Sequence, residues 1–359
     1  MAMPEAPASG YLLAGKIFRL RLAPPAAPAP LAPLAIEDPT LIHAAYIGMH
    51  RTITEAQPFD IATFGPLPVI LNGPGLVWHQ GALLTDPQIL PGYALTELRK
   101  HTQYFLDRPR AFPMLHDSRP ALVFHSWGVQ VYGHMLIEML PKLLMARRFY
   151  PHLIPVLDRQ MPPWFLTILR EQCGITPDHA IMFDSESEQL TLDRAVLIAQ
   201  TLRPAGYHPI AGALYDQLAQ NSTPPASPTP KIFLRRGDFS NKHSLIRRME
   251  NEAELAAIAA AQGFAPIHPE TLSFPAQIGL FAQATHIIAE SGSAPHNAVF
   301  SPAGTRIGLL RFGSAVQSQI AALRGHHLAV LTEGVVERSP GLWHTDTNQF
   351  RRFLELFIA

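Results

Sequence analysis

Apolar and polar positions alternate most clearly in the last third of this chain. "KIFLRR", from Lys231, is a short apolar run and predicts a strand. "NEAELAAIAAAQ" is rich in Ala, Leu and Glu and predicts a helix that ends at Gly263. "FAPIH" predicts a strand, and "SFPAQIGLFAQA" a helix with Ser273 as its N-cap and Pro275 in its first turn. "HIIAE" is a strand again, followed by a loop, "SGSAPHNAVFSPAG", that enters a helix. "RIGLLRF" predicts a strand, "VQSQIAALRG" a helix and "HLAVLT" a final strand. Strand–helix alternation with apolar strands predicts a parallel sheet covered on both faces.

Upstream the rhythm is less regular. "PALVFHS" (Pro120 to Ser126) predicts a strand, and Tyr132 to Tyr150 a helix despite Pro141. "HLIPVLD" predicts a strand, "WFLTILREQCG" a helix and "DRAVLIAQ" a strand, so this half is also α/β. Before about residue 115 only short strands such as "LPVILNG" stand out. No period of 20 to 50 residues is evident. Proline punctuates the chain: residues 1–40 are expected to be a Pro-rich N-terminal arm. The stretch 221–230, "NSTPPASPTP", is polar and Pro-rich and reads as a linker. The expected division is therefore an N-terminal α/β domain over 41–220 and a C-terminal one over 231–359. Ligands of open α/β sheets bind beyond the carboxyl ends of the strands, and clefts between domains are common ligand sites.

Length and charge narrow the function. A chain of 359 residues is long for one core. Lys and Arg number 28, as do Asp and Glu, so the formal net charge is zero. That argues against a general binder of nucleic acid or anionic membranes, and leaves room for a local basic pocket. The single cysteine, Cys173, allows no intrachain disulfide and suggests a reducing compartment. Its apolar helical context favours a small core residue over a nucleophile. No apolar run reaches membrane-spanning length, and the prolines from Pro24 to Pro33 would break a signal-peptide helix. A soluble, cytoplasmic protein is expected, with peripheral association at the inner face of a membrane compatible with it.

Candidate chemistry gathers in three places. In "GHMLIEMLPK", His134 and Glu138 are four apart and share one helix face; either a core histidine held by a carboxylate or an active-site pair would read so. After the strand "HIIA" comes "ESGSAPHN". Glu290 at the strand end can accept hydrogen bonds from sugar or ribose hydroxyls. Gly292 and Ser293 lead into a helix, where free backbone N–H groups suit an anion, unless this is an ordinary turn. "LRRGDFSNKHSLIRR" places Arg235 and Arg236 at a strand end, with Lys242, Arg247 and Arg248 close behind. Arginine suits phosphate through its planar fork, although a solvated basic loop would look alike. The 17 histidines are scattered, and neither H-E-x-x-H nor D-x-D occurs, so no metal site is expected. "DSESE" reads as a solvated loop, and no G-x-S-x-G elbow supports Ser-His-Asp chemistry.

From Lys231 to Leu310 the chain resembles glycosyltransferase family 61. The resemblance rests on Arg235–Arg236 at a strand end, Arg247, and "NEAEL" with Asn251 and Glu252. It continues through Gly263–Phe264, "PETLSFPAQ", a Gly-rich loop ending at Asn297, and "FSPAG". Upstream, His134, Glu138 and Leu140–Pro141 fit the family's histidine, acid and Leu-Pro. Two positions depart: Ser291 stands where the family often has histidine, and Met135 where an aromatic residue is common.

The resemblance implies a GT-B-like α/β fold, with two Rossmann-like lobes whose parallel sheets face each other across a cleft. It implies an inverting, metal-independent transfer from a nucleotide-sugar, usually a UDP-sugar, to a saccharide or lipid-linked saccharide, without a cofactor and often in bacterial surface polysaccharide synthesis. Donor contacts are then expected from Arg235, Arg236, Arg247, Asn251, Glu252, Glu290, Ser291, Gly292, Ser293 and Asn297. Without a metal, a leaving diphosphate needs fixed positive charge. His134 becomes the candidate base, with Glu138 orienting it and Asp238 or Glu290 as substitutes. A UDP-sugar epimerase of the same fold, or a catalytically silent sugar-nucleotide-binding scaffold, is the alternative.

Overall fold

A computed structural model of the chain describes residues 17–19, 61–73, 75–84, 112–124, 128–203, 206–222, 228–236, 248–311 and 314–359. The chain divides into two compact units, with the division between Arg203 and Pro204. Arg247, Asp238 and Lys242 lie outside the described residues, as do nearly all of the expected arm and the centre of the expected linker.

The first unit holds β1 (Ile17–Arg19), β2 (Ala62–Asn72), β3 (Leu76–His79), β4 (Ala82–Leu83), β5 (Met114–Val123), β6 (Ile154–Asp158), β7 (Ile181–Phe183) and β8 (Gln189–Ile198). Their order in the sheet is β4-β3-β2-β8-β5-β6-β7, with β1 also on β2. The parallel sheet expected for this lobe is only half realised. β8, β5, β6 and β7 run parallel, whereas β2 is antiparallel to β8, β3 and β1. The local reason is a hairpin: β2 and β3 are joined by a turn too short for the crossover that parallel strands need. A helix crosses from β5 to β6. It opens as Tyr132–His134, widens into a π-turn over Met135–Met139 and continues as Leu140–Phe149. Helix Pro163–Cys173 joins β6 to β7 and is capped by left-handed Gly174. Burial pushes the Cys173 thiol up to about 12, so it is no thiolate at neutral pH.

Two short strands, β9 (Leu202–Arg203) and β10 (Gly206–Tyr207), lie on either side of the division. Helix Ile210–Gln220 follows, and it belongs with the second unit rather than the first. Tyr215 meets Phe300 edge-on, Arg324 pairs with Asp216 at 2.7 Å, and Arg324 donates to the Gly212 carbonyl. The division therefore precedes the 221–230 segment, because packing rather than proline content ties this helix down.

The second unit is built on β11 (Lys231–Leu234), β12 (Arg248–Met249), β13 (Ala265–Ile267), β14 (His286–Glu290), β15 (Arg306–Leu310) and β16 (His327–Leu331). All but β12 form a parallel sheet in the order β13-β11-β14-β15-β16. Apart from the edge strand β13, the strands are apolar and buried, as a sheet covered on both faces requires. Helices Glu252–Ala260, Phe274–Phe281 and Ala315–Arg324 connect them, with Ser273 and Ser314 as N-caps and Gly325 as a left-handed C-cap. The loop after β14 enters a 3-10 helix, Ala294–Phe300, too short to carry the dipole of a full helix.

Beyond the strand expected to be last, the chain adds β17 (Val335–Ser339), β18 (Leu342–Thr345) and helix Thr347–Ile358. β12 pairs in parallel with β18, and β17 antiparallel with β18. Phe350, Phe353, Leu354 and Phe357 share one face of the last helix and join the core with Phe233, Ile288 and Leu310. Gly308 permits that approach: a Cβ there would sit 2.9 Å from the Phe353 ring. Among the described residues no helix is long and apolar enough to cross a membrane.

Candidate active site

In the first unit, the π-turn sets the face of the helix that carries the polar pair. His134 Nδ1 lies 2.8 Å from Glu138 Oε1. The histidine keeps some exposure while the carboxylate is buried. Donation of Nδ1–H to the carboxylate leaves the ring lone pair on Nε2. The turn before the helix covers the ring. Gly128 has φ 88°, and a Cβ there would lie 2.7 Å from His134 Cδ2. One turn beyond Glu138 the same helix places Lys142, 3% exposed. Burial lowers its ammonium to about 8, and the Glu138 charge opposes that shift. Glu138 is therefore flanked along the helix by an imidazole and an amine. Lys142 was absent from the sequence expectation, although the period that joined His134 to Glu138 reaches it.

In the second unit, strand order decides what converges. Numbered within the parallel sheet, β13-β11-β14-β15-β16 reads 2-1-3-4-5, and the chain changes direction of winding between β11 and β14. Ligands of such sheets bind at that switch, beyond the carboxyl ends. Arg235 and Arg236 follow β11, and Glu290 ends β14. Glu252, first residue of its helix, accepts from the Arg236 backbone N–H at 2.6 Å and from Arg235 Nε at 3.2 Å. Glu290 Oε1 accepts from the Met249 N–H at 3.0 Å, and Oε2 lies 3.9 Å from Arg236 Nη1. Burial raises the Glu290 carboxyl above its ordinary range, and the charges of Arg236 and Arg311 act against this. Arg236 also lies over Gly292, its Nη1 3.8 Å from where a Cβ would stand.

Not every expected donor residue points its polar atoms into this place. Asn251 exchanges two hydrogen bonds with the backbone of Thr345, giving from Nδ2 and receiving at Oδ1, so its amide ties the helix to β18. Asn297 is fully buried and donates to Gln277 Oε1 and the Ala294 carbonyl, which shapes the loop from inside. Glu252 is engaged with the arginine pair. Ser291 is buried and its carbonyl accepts from Arg311 Nη2 at 3.3 Å. Ser293 precedes the 3-10 helix without a side-chain cap bond. Arg311 was missed by sequence reasoning. The signal existed, because Arg311 follows the strand "RIGLL" as Arg235 follows "KIFL".

No curated protein matches the chain closely enough to count as a relative. The sequence model of the family described as Glycosyltransferase 61 matches residues 132–308, a span that starts at the His134 helix and runs through Arg235–Arg236 and Glu290 into β15. Through these residues, on an α/β fold with parallel-strand sheets, the segment 132–308 of this chain matches the glycosyltransferase 61 family.

Proposed function

We propose that this glycosyltransferase is an inverting, metal-independent enzyme that moves a sugar from a UDP-sugar to a saccharide or lipid-linked saccharide acceptor of a surface polysaccharide. The observation that carries the donor part is a pair of buried atoms at the switch point. Arg236 Nη1 and Glu290 Oε2 are both shielded and make no hydrogen bond among the described residues, while lying 3.9 Å apart. Buried polar groups in native proteins are nearly always satisfied. A ligand hydroxyl admitted between them as the 291–293 turn yields would accept from the guanidinium and donate to the carboxylate. A ribose or sugar ring supplies such a hydroxyl. Nearby guanidinium charge then favours the diphosphate as it departs.

In this reading His134 Nε2 takes the proton of the acceptor hydroxyl. The acceptor oxygen bonds to the anomeric carbon as the bond from that carbon to the diphosphate oxygen breaks, and UDP leaves. Glu138 stabilises the imidazolium that forms. A panel of UDP-, GDP- and CMP-sugars with chelator present tests the proposal. At ligand a hundredfold above Kd, binding adds about 2.7 kcal/mol of stability. A shift with UDP compounds that survives the chelator is expected, and a shift that vanishes with it would overturn metal independence. Release of UDP only when acceptor is present separates transfer from epimerisation, and no release from any donor would indicate a silent binding protein.

A further inference from the structure

Arg311 has a backbone that its side chain does not favour. Its φ is 90°, in the left-handed half of the map, where a non-glycine residue is strained. Strain of this kind persists only where the surroundings over-determine it, and it concentrates at functional sites. The residue is 5% exposed. Its N–H donates to the Leu331 carbonyl at 2.9 Å, Nη2 donates to the Ser291 carbonyl at 3.3 Å, and the guanidinium lies 5.2 Å from the Trp343 ring centre. It stands three residues beyond the segment that matches the family.

These contacts close a ring. Glu290 accepts from the Met249 N–H. Met249 is in register with Trp343 across β12 and β18. Trp343 carries Arg311, and Arg311 holds the carbonyl of Ser291, the residue after Glu290. Apart from the Glu290–Ser291 peptide bond, each link is a hydrogen bond, a strand pairing or a cation over a ring, so displacing Arg311 releases the turn from one side. Glycine would adopt the same φ without strain. The side chain, not the backbone, is what an arginine adds here.

We propose that Arg311 is the positioning residue of the donor pocket: clamped on Trp343, it fixes the Ser291–Ser293 turn and sets a second guanidinium beside Glu290, which leaves the pocket with net positive charge for a nucleoside diphosphate. Among the described residues, Arg235, Arg236 and Arg311 then face Glu252 and Glu290, three cations against two carboxylates. The inference rests on the reading of the switch point as a donor site.

The test uses the full chain with Arg311→Gly and Arg311→Lys, and three readouts: melting temperature, UDP affinity by calorimetry, and hydrogen exchange at the amides of residues 291–293. Arg311→Gly is expected to keep a melting temperature near that of the parent, because the strained backbone relaxes. It should lose about tenfold or more in UDP affinity, the worth of one charged hydrogen bond, and exchange its turn amides faster. Arg311→Lys keeps the charge without the planar fork, and should recover part of the affinity but not the protection of the turn. Unchanged exchange in Arg311→Gly overturns the proposal, and so does an affinity loss that merely tracks a fall in melting temperature. If the parent binds no UDP, the donor reading fails, and exchange in the unliganded protein still decides whether Arg311 holds the turn.

Discussion

His134 and Glu138 are one turn apart, and at 2.8 Å the carboxylate sets which ring nitrogen carries the proton. A histidine used as a base then loses turnover when removed. His134→Ala is expected to lower kcat by about 10² to 10⁴ and leave UDP affinity unchanged. Glu138→Gln should cost less, and the double variant less than the two losses combined, because the pair acts as a unit. A histidine kept only for packing would instead lower the melting temperature, with activity tracking the folded fraction. A folded His134→Ala protein with full turnover would remove the residue from the reaction. The sequence made this pair legible because its partner is four positions away. It did not reveal that Asn251 is consumed by Thr345 or Glu252 by the arginine pair. Those partners are set by which elements pack together, and a polar residue looks the same in sequence whether its atoms meet a neighbour or a ligand.

At the scale of elements, the His134 helix depends on the turn that precedes it. Gly128 meets two demands at once, a φ of 88° and the close approach to the imidazole. Gly128→Ala strains the backbone and pushes the ring aside, so kcat should fall while UDP affinity holds. Gly174→Ala makes the useful comparison. Its φ is 64° but nothing stands within 4 Å of the added Cβ. It should cost about 1 kcal/mol in stability and leave kcat intact. Equal kcat in the two variants would show that the Gly128 contact does not position the histidine. Most helices and parallel strands were readable from their periodicity, as "KIFL" and "HIIAE" illustrate. The last helix carries an equally plain signal, Phe350, Phe353, Leu354 and Phe357 on one face, although the expected elements end at "HLAVLT". The π-turn had no such signal, because its apolar spacing is compatible with an ordinary helix.

The second unit as a whole has a built-in acid sensitivity. His326 is buried, with one ring nitrogen 3.3 Å from the Ser301 carbonyl, and burial holds its ring down at about 4. In the unfolded chain its value is the ordinary 6.5. Between these values the unfolded state binds a proton that the folded state refuses, so stability rises with pH through this window and falls on acidification from 6.5 toward 4. The full difference is about 3 kcal/mol. Urea midpoints at pH 7.5 and 4.5 measure it: His326→Gln should show a flatter pH dependence than the parent, and equal slopes would assign the acid loss to other groups.

What the sequence determined by itself was local: the strand and helix periods, Ser273 as a cap, the α/β class, and the four-residue spacing of His134 and Glu138. These follow from interactions between near neighbours in the chain, which leave a period or a cap residue behind. Tertiary structure alone decided the antiparallel half of the first sheet, the division ahead of the Pro-rich segment, and the 2-1-3-4-5 order of the second sheet. That order brings Arg236, Glu290 and Arg311 together from three strand ends, and the β12–β18 pairing closes Met249 and Trp343 over them. Strand order depends on how buried faces pack across the whole unit, and hydrophobic strands carry no mark of which neighbour they will take. Partners so far apart in the chain therefore share a site without a motif to announce it.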